Sequence, residues 1–214
     1  MQLHKKGLMI VISGPSGVGK GGIKKALLER KDNNFVYSIS ATTRKPREGE
    51  KDGIDYFFIK EKDFKKKIKE NYFLEYNKFV NNYYGTPYKN VLKQLEEKKE
   101  VLLEVDIHGA LMIRQHKIHK DSVFIFIAPP SKKILYERLR NRNSETEEEI
   151  RERMLNSEKE IKLAYKYDYI VVNDEINKSV DKIISIVTAE HSKTKNSIDY
   201  YLTEILKKES DCIC

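Results

Sequence analysis

Apolar and polar positions follow two rhythms along this chain. Short, nearly unbroken apolar runs at Leu8–Ser13, Val101–Val105, Val123–Ile127 and Tyr169–Val172 are separated by longer stretches of helical periodicity. Continuous runs of this length are strands buried on both faces. Their alternation with helical segments predicts an α/β fold, a parallel sheet wrapped by helices. Helical patterns begin near Ile23, return at Lys89–Lys98, follow a Ser131 cap to about Arg140, and close with Ile176–His191. No element is assigned between Val105 and Val123.

Between these α/β segments the rhythm tightens. Phe35–Ser40 reads as a strand, and Ala41 to Gly53, polar and carrying Pro46, Gly49 and Gly53, reads as loop. Short strands at Tyr56–Ile59 and Phe73–Tyr76 flank a basic helix, Lys62–Glu70. Lys78–Val80 and Tyr83–Tyr84 then surround a turn at Asn81-Asn82. This dense run predicts a small inserted β/α subdomain. Asn141 to Ile161 is helical but strongly charged, with Ile150, Met154 and Ile161 its few apolar positions, which suits a solvated helix or a mobile lid. The expected layout is a core of 1–38, 87–140 and 163–191, an inserted subdomain at 39–86, a lid at 141–162 and a helical tail at 192–214.

The first strand runs into Gly14-Pro15-Ser16-Gly17-Val18-Gly19-Lys20, a G-x-x-x-x-G-K loop placed between strand and helix. Glycines let the backbone aim its N–H groups inward at phosphate oxygens. The following helix N-terminus and the Lys20 ammonium add positive potential. A glycine-rich connection without a ligand is the plain alternative, and the ordered strand, loop, lysine and helix favour nucleotide phosphate instead. The motif normally continues with a Ser or Thr whose hydroxyl reaches Mg²⁺. Gly21 and Gly22 stand there, so phosphate binding survives while metal ligation by the loop is in doubt.

Other side chains add to this chemistry. Arg44 and Arg47, three apart in a Pro-containing loop, suit a phosphate, and Tyr56 and Tyr84 hydroxyls can complete the pocket; an exposed basic loop is the alternative. Glu75, at the end of a short strand, is plainly read as solvated. Beside a second phosphate site, its carboxylate can accept both the N1–H and the exocyclic N–H of guanine, which adenine cannot offer. Glu104 and Asp106 share one strand face at its carboxyl end, where Mg²⁺, its waters or a sugar would lie; capping of His108-Gly109 is the plain alternative. Arg138, Arg142, Arg151 and Arg153 surround the lid-like segment and can neutralise charge on a transferring phosphoryl group.

Composition narrows the partners. Lys and Arg exceed Asp and Glu by 41 to 33, a net +8, yet both signs are interleaved along the chain, without a dedicated basic arm for nucleic acid. Cys212 and Cys214 are too few and too close for a disulfide framework or zinc site. The opening is polar, and nothing approaches the roughly 20 apolar residues of a membrane span, so a cytoplasmic protein without membrane partners is expected.

Taken together, GPSGVGKG, SISATTRKPREGE, DYFF, FLEY, NYYGTP, LLEVDIHGA, FIAPPS, RLRNR and VVND occur in the order and spacing of guanylate kinases, from about Leu8 to His191. The chain resembles that family. The resemblance implies a P-loop NTPase core with helices on both faces, a GMP-binding subdomain and a helical lid, moving the γ-phosphoryl of MgATP to GMP or dGMP. It implies a GMP site of Ser40, Arg44, Arg47, Tyr56, Glu75, Tyr84 and Thr86, with Glu104 and Asp106 adjoining GMP and metal, Asp106 through water. It implies that the loop from Gly14 to Gly22 holds ATP, that Lys20, Arg138, Arg142 and Arg153 attend the transferred phosphate, and that Asn173 lies near adenine. Monomer and homodimer both stay open. A catalytically dead binding module is the main rival, and a kinase of different base choice the next.

Overall fold

The computed structural model describes residues 6–30, 34–79, 81–141 and 146–210, so Val80, Arg142, Cys212 and Cys214 lie outside the described residues. In chain order these residues form β1 (Met9–Ser13), α1 (Lys20–Glu29), β2 (Phe35–Tyr37), β3 (Ala41–Thr42), β4 (Phe57–Phe58) and α2 (Glu61–Lys69). Next come β5 (Phe73–Phe79), β6 (Asn82–Pro87), α3 (Tyr88–Glu96), β7 (Glu100–Glu104), α4 (Ile107–Gln115) and β8 (Ser122–Ala128). The chain closes with α5 (Lys132–Arg140), α6 (Glu147–Ile161), β9 (Tyr169–Val172), α7 (Ile176–His191) and α8 (Thr194–Ser210).

β1 lies at the centre of a parallel sheet ordered β2-β7-β1-β8-β9. Its five residues are all buried, and their alternation serves two cores. Ile10 and Ile12 point to the face covered by α1 and α7, against Ile23, Leu27, Val180 and Ile183. Met9 and Val11 point to the face covered by α3 and α4, against Val91, Leu95, Ala110 and Ile113. A strand so enclosed reads as a continuous apolar run because both of its faces are core. It also fixes the loop that leaves its carboxyl end.

The second sheet, β4-β3-β6-β5, is mixed, with β3 parallel to β4 and antiparallel to β6. Phe64 of α2 stacks between Phe73 and Tyr83 at ring distances of 4.3 and 5.3 Å and gives this sheet its own small core. Two segments differ from the pattern reading. Ala41–Thr42, read as loop, forms β3, because both neighbours supply partners that a two-residue segment cannot advertise by periodicity. Ile107–Gln115, which shows no clear period, is helix α4: Ile107, Gly109, Ala110 and Ile113 are buried, and Leu111 and Met112 on the partly exposed side blur the apolar–polar contrast.

The charged segment has a clear start. Thr146 caps α6 with a capping box: its hydroxyl accepts from the Glu149 amide, and the Glu149 carboxylate accepts from the Thr146 amide at 2.7 Å. Glu147, Glu148 and Glu149 then favour the helix N-terminus. Ile150 and Met154 pack on Leu135 and Leu139 of α5, so α6 is tied to the rest by a small core of its own.

Candidate active site

The glycine loop is shaped by close approach on both sides. A Cβ on Gly14 would lie 2.2 Å from the Ile127 carbonyl oxygen, and one on Gly19, at φ 96°, would lie 2.5 Å from Asn173 Nδ2. Only hydrogen fits at either place. α1 starts at Lys20, so the amides of its first turn open toward the loop. Lys20 Nζ donates to the carbonyl oxygens of Gly14 and Pro15 at 2.6 and 3.1 Å. From beneath, Asn173 Nδ2 and Arg138 Nη1 donate to the Val18 carbonyl at 2.8 and 3.2 Å, and Arg138 Nη2 donates to the Asn173 carbonyl at 2.9 Å. From above, Arg153 Nη1 of α6 reaches Ser16 Oγ at 2.7 Å. Lys20, Arg138 and Arg153 therefore converge on one loop.

A cavity of about 300 Å³ opens beside the carboxyl end of β7, lined by Tyr37, Ser40, Tyr56, Glu75, Asn77, Tyr84, Glu104, Val105 and Asp106. The β5–β6 register slips between Phe73 and Glu75, a bulge of the kind that re-aims a side chain. Phe73 packs on Phe64, Leu74 enters the main core, and Glu75 turns to the cavity with 6% of its surface exposed. Thr86 Oγ1 donates to Glu75 Oε1 at 2.6 Å. Burial pushes the Glu75 carboxyl up to about 7, against the Thr86 hydroxyl, while the charge of Asp106 adds to the rise. Asp106 caps α4 by accepting from the Gly109 amide at 2.7 Å, and its other oxygen accepts from Asn77 Nδ2. Glu104 pairs with Lys24 of α1 at 3.0 Å, and the same ammonium lies 4.3 Å from the Tyr37 ring centre.

At the outer end of this cavity the Tyr56 and Tyr84 rings lie 6.1 Å apart, and the Arg44 guanidinium stands 5.5 Å from the Tyr56 ring centre. Arg44 is held by Glu50 in a two-pronged ion pair, Nη1 to Oε2 at 2.9 Å and Nη2 to Oε1 at 2.8 Å. Arg47 is exposed, and its amide donates to Glu50 Oε2 at 2.7 Å.

The structure thus gathers the residues singled out in the sequence into two neighbouring groups. Around the loop are Gly14 to Gly22, Arg138 and Arg153; around the cavity are Ser40, Arg44, Tyr56, Glu75, Tyr84, Thr86, Glu104 and Asp106. Arg151 is exposed on α6. Asn173, expected near adenine, holds the underside of the loop: Nδ2 donates to the Val18 carbonyl, and Oδ1 accepts from Ser179 Oγ at 3.0 Å. A side chain with only 2% exposure has to satisfy both ends of its amide internally. Lys24, Tyr37, Glu50, Asn77 and Glu160 escaped the sequence reading, and Gly109 figured there only as a group to be capped. Glu50 alone left a legible trace, an acid inside a basic loop. Glu160, half-buried on α6, has its carboxyl raised by burial, opposed by the charge of Lys20 and assisted by that of Asp106.

A glycine phosphate loop on a central strand, a second pocket at the strand ends and an arginine-bearing helix over the loop define a P-loop phosphotransferase of the nucleoside monophosphate kinase class. Comparison with known proteins carries this further. The family model described as guanylate kinase matches residues 6–190. The chain is 54% identical to the guanylate kinase of Onion yellows phytoplasma (strain OY-M) over 202 residues, covering 94% of this chain and 95% of the relative. It is 48% identical to that of Caldanaerobacter subterraneus subsp. tengcongensis, covering 94% and 97%. The crystal structure of guanylate kinase from Anaplasma phagocytophilum matches with a TM-score of 0.74 at 31% identity, covering 95% of both chains. The chain belongs to the guanylate kinase family.

Proposed function

We propose that the two groups of residues are the two halves of an ATP:GMP phosphotransferase site, the loop for ATP and the cavity for GMP. Phosphorylation of GMP by ATP is the activity of the family to which the chain belongs. The observation that carries the assignment of the cavity is Glu75, a buried carboxylate braced by Thr86 and aimed into a purine-sized space. A carboxylate there accepts two N–H groups from guanine, and adenine would leave it unpaired. In this reading Arg44, Arg47, Tyr56 and Tyr84 take the GMP phosphate, Ser40 and Thr86 assist at the base, and Glu104 lies near the sugar.

No protein nucleophile is required. The GMP phosphate oxygen attacks the γ-phosphorus in line as its bond to the β-phosphate oxygen breaks and ADP leaves, and the protein supplies position and positive charge through Lys20, Arg138 and Arg153, with Arg142 joining from the expectation of the sequence. The donor set fits a largely hydrated Mg²⁺. Both Asp106 oxygens already accept hydrogen bonds, and Gly21 and Gly22 offer no hydroxyl, so Asp106 would hold the ion through water. When bound, the ion would supply positive charge that neutralises the ATP phosphates. Asn173 serves from below, by fixing the loop.

Among the described residues no helix is long and apolar enough to cross a membrane. We place the enzyme in the cytoplasm, acting on the soluble nucleotides ATP and GMP or dGMP as a monomer or homodimer, without nucleic acid or membrane partners. A coupled ADP-release assay over GMP, dGMP, AMP, CMP and UMP tests the reading. Turnover with the guanine nucleotides alone supports it; no turnover at saturating Mg²⁺ would favour the binding-module rival.

A further inference from the structure

We propose that Glu50 is a positioning residue that presets Arg44 for the acceptor phosphate, an inference that rests on the GMP reading of this cavity. A guanidinium carries five N–H groups in a fixed fork. Both hydrogens of Nη1 are engaged, one by the Lys45 carbonyl at 2.8 Å and one by Glu50 Oε2 at 2.9 Å. One hydrogen of Nη2 goes to Glu50 Oε1 at 2.8 Å. The Nε–H and the second Nη2–H lie together on the other edge of the fork, where the Tyr84 hydroxyl is the guanidinium's remaining side-chain partner. Glu50 therefore takes the end of the guanidinium and turns its planar Nε–Nη2 edge to the side where an oxyanion can be shared with the Tyr84 hydroxyl, next to the Tyr56 ring.

The same carboxylate also sets the backbone. Glu50 Oε2 accepts from the Arg47 amide at 2.7 Å, and the Glu50 amide donates to the Arg47 carbonyl at 3.1 Å, so the turn from Arg47 through Gly49 closes on itself. One acid thus fixes the place of both arginines of the basic loop. Its negative charge is a cost near a phosphate, yet Arg44 and Arg47 together still leave the group one positive charge in excess. A long, otherwise mobile Arg side chain held ready loses less freedom when substrate arrives.

The test is a double-mutant cycle of Glu50→Gln and Arg44→Ala, with steady-state kinetics on both substrates. Glu50→Gln should raise the KM for GMP about tenfold, with the KM for ATP unchanged and the melting temperature little altered. In the Arg44→Ala background it should change the KM for GMP by less than about twofold. Glu50→Asp, which keeps the charge on a shorter arm, should fall between wild type and Glu50→Gln. An equal effect with and without Arg44 would overturn the proposal, as would a lowered KM, which would make Glu50 a competitor of the phosphate. Should Glu50→Gln fail to fold, Glu50→Asp in the same cycle decides by the same criterion. Wild-type turnover of GMP, measured in parallel, separates failure of this inference from failure of the GMP reading.

Discussion

Gly109 and Glu75 meet where the helix after β7 passes the cavity: a Cβ on Gly109 would lie 2.8 Å from Glu75 Oε2 and 3.3 Å from its Cδ. The carboxylate cannot retreat, because its other oxygen is bound to Thr86 at 2.6 Å. Gly109 lies in the first turn of α4, where alanine favours the helix by up to about 1 kcal/mol. Gly109→Ala should therefore leave the melting temperature nearly unchanged while raising the KM for GMP at least about tenfold. Parallel loss of ATP binding, or a large drop in melting temperature, would mean that Gly109 serves the fold instead.

Glu75 also predicts a pH dependence. Burial raises its carboxyl from the ordinary 4.5 to about 7, so the empty site takes up a proton as pH falls below about 7. Guanine needs the anion. The kcat/KM for GMP should rise with pH up to about 7 and then level, with the KM for ATP flat. Glu50 does not share this titration, since bonds from Arg44 and the Arg47 amide hold it down to about 2. The stability term runs the other way. The folded state binds the extra proton between 4.5 and about 7, so this group's contribution falls as pH rises through that window. Glu75→Gln should abolish the pH step and lose roughly 2–3 kcal/mol of GMP recognition, by presenting an amide donor to a guanine donor. A step that persists in Glu75→Gln would assign it to the substrate phosphate.

The arginines should separate by kinetic parameter. Arg44→Ala and Arg47→Ala remove contacts proposed for the bound acceptor phosphate and should raise the KM for GMP. Arg153, which reaches Ser16 of the glycine loop from α6, should act on the transferring group, so Arg153→Ala should lower kcat by about 10²-fold with smaller changes in KM. The reverse pattern would overturn the division between cavity and lid.

The sequence displayed what depends on local chemistry and hid what depends on tertiary neighbours. β1 and its loop were legible because a doubly buried strand must be an apolar run and a phosphate loop must carry glycines. β3 was hidden because its two residues are strand only through their partners. Helix α4 was hidden because Leu111 and Met112 occupy its partly exposed side and weaken the apolar–polar contrast. At the proposed site, Glu75 and the two arginines stand out by residue type, whereas Asn77, Tyr37 and Lys24 enter through contacts across the chain: Asn77 to Asp106, and Lys24 to Glu104 and the Tyr37 ring. Asn173 was legible as a residue of the motif, whereas its bonds to Val18 and Ser179 depend on packing between distant segments.

The two glycines after Lys20 lead to the prediction most exposed to failure. A Cβ on Gly21 would meet nothing within 4 Å, whereas one on Gly22 would lie 3.0 Å from Ile176 Cδ1, the tip of a half-exposed side chain that can give way. No backbone or buried packing opposes a hydroxyl residue at either place. Without that hydroxyl a Mg²⁺ ion in the proposed site would depend on ATP phosphates, waters and Asp106, both of whose oxygens already accept hydrogen bonds. Mg²⁺ tolerates this because it keeps most of its waters. The wild type should therefore be active with a raised Mg²⁺ requirement. Gly22→Thr should lower the Mg²⁺ concentration for half-maximal rate several-fold, at a small cost in melting temperature from displacing Ile176. Gly21→Ser, unobstructed, is the steric control: it should leave the melting temperature unchanged, and its Mg²⁺ dependence tells which of the two positions faces the phosphates. If neither substitution moves the Mg²⁺ dependence in a well-folded protein, the loop has no part in holding the ion.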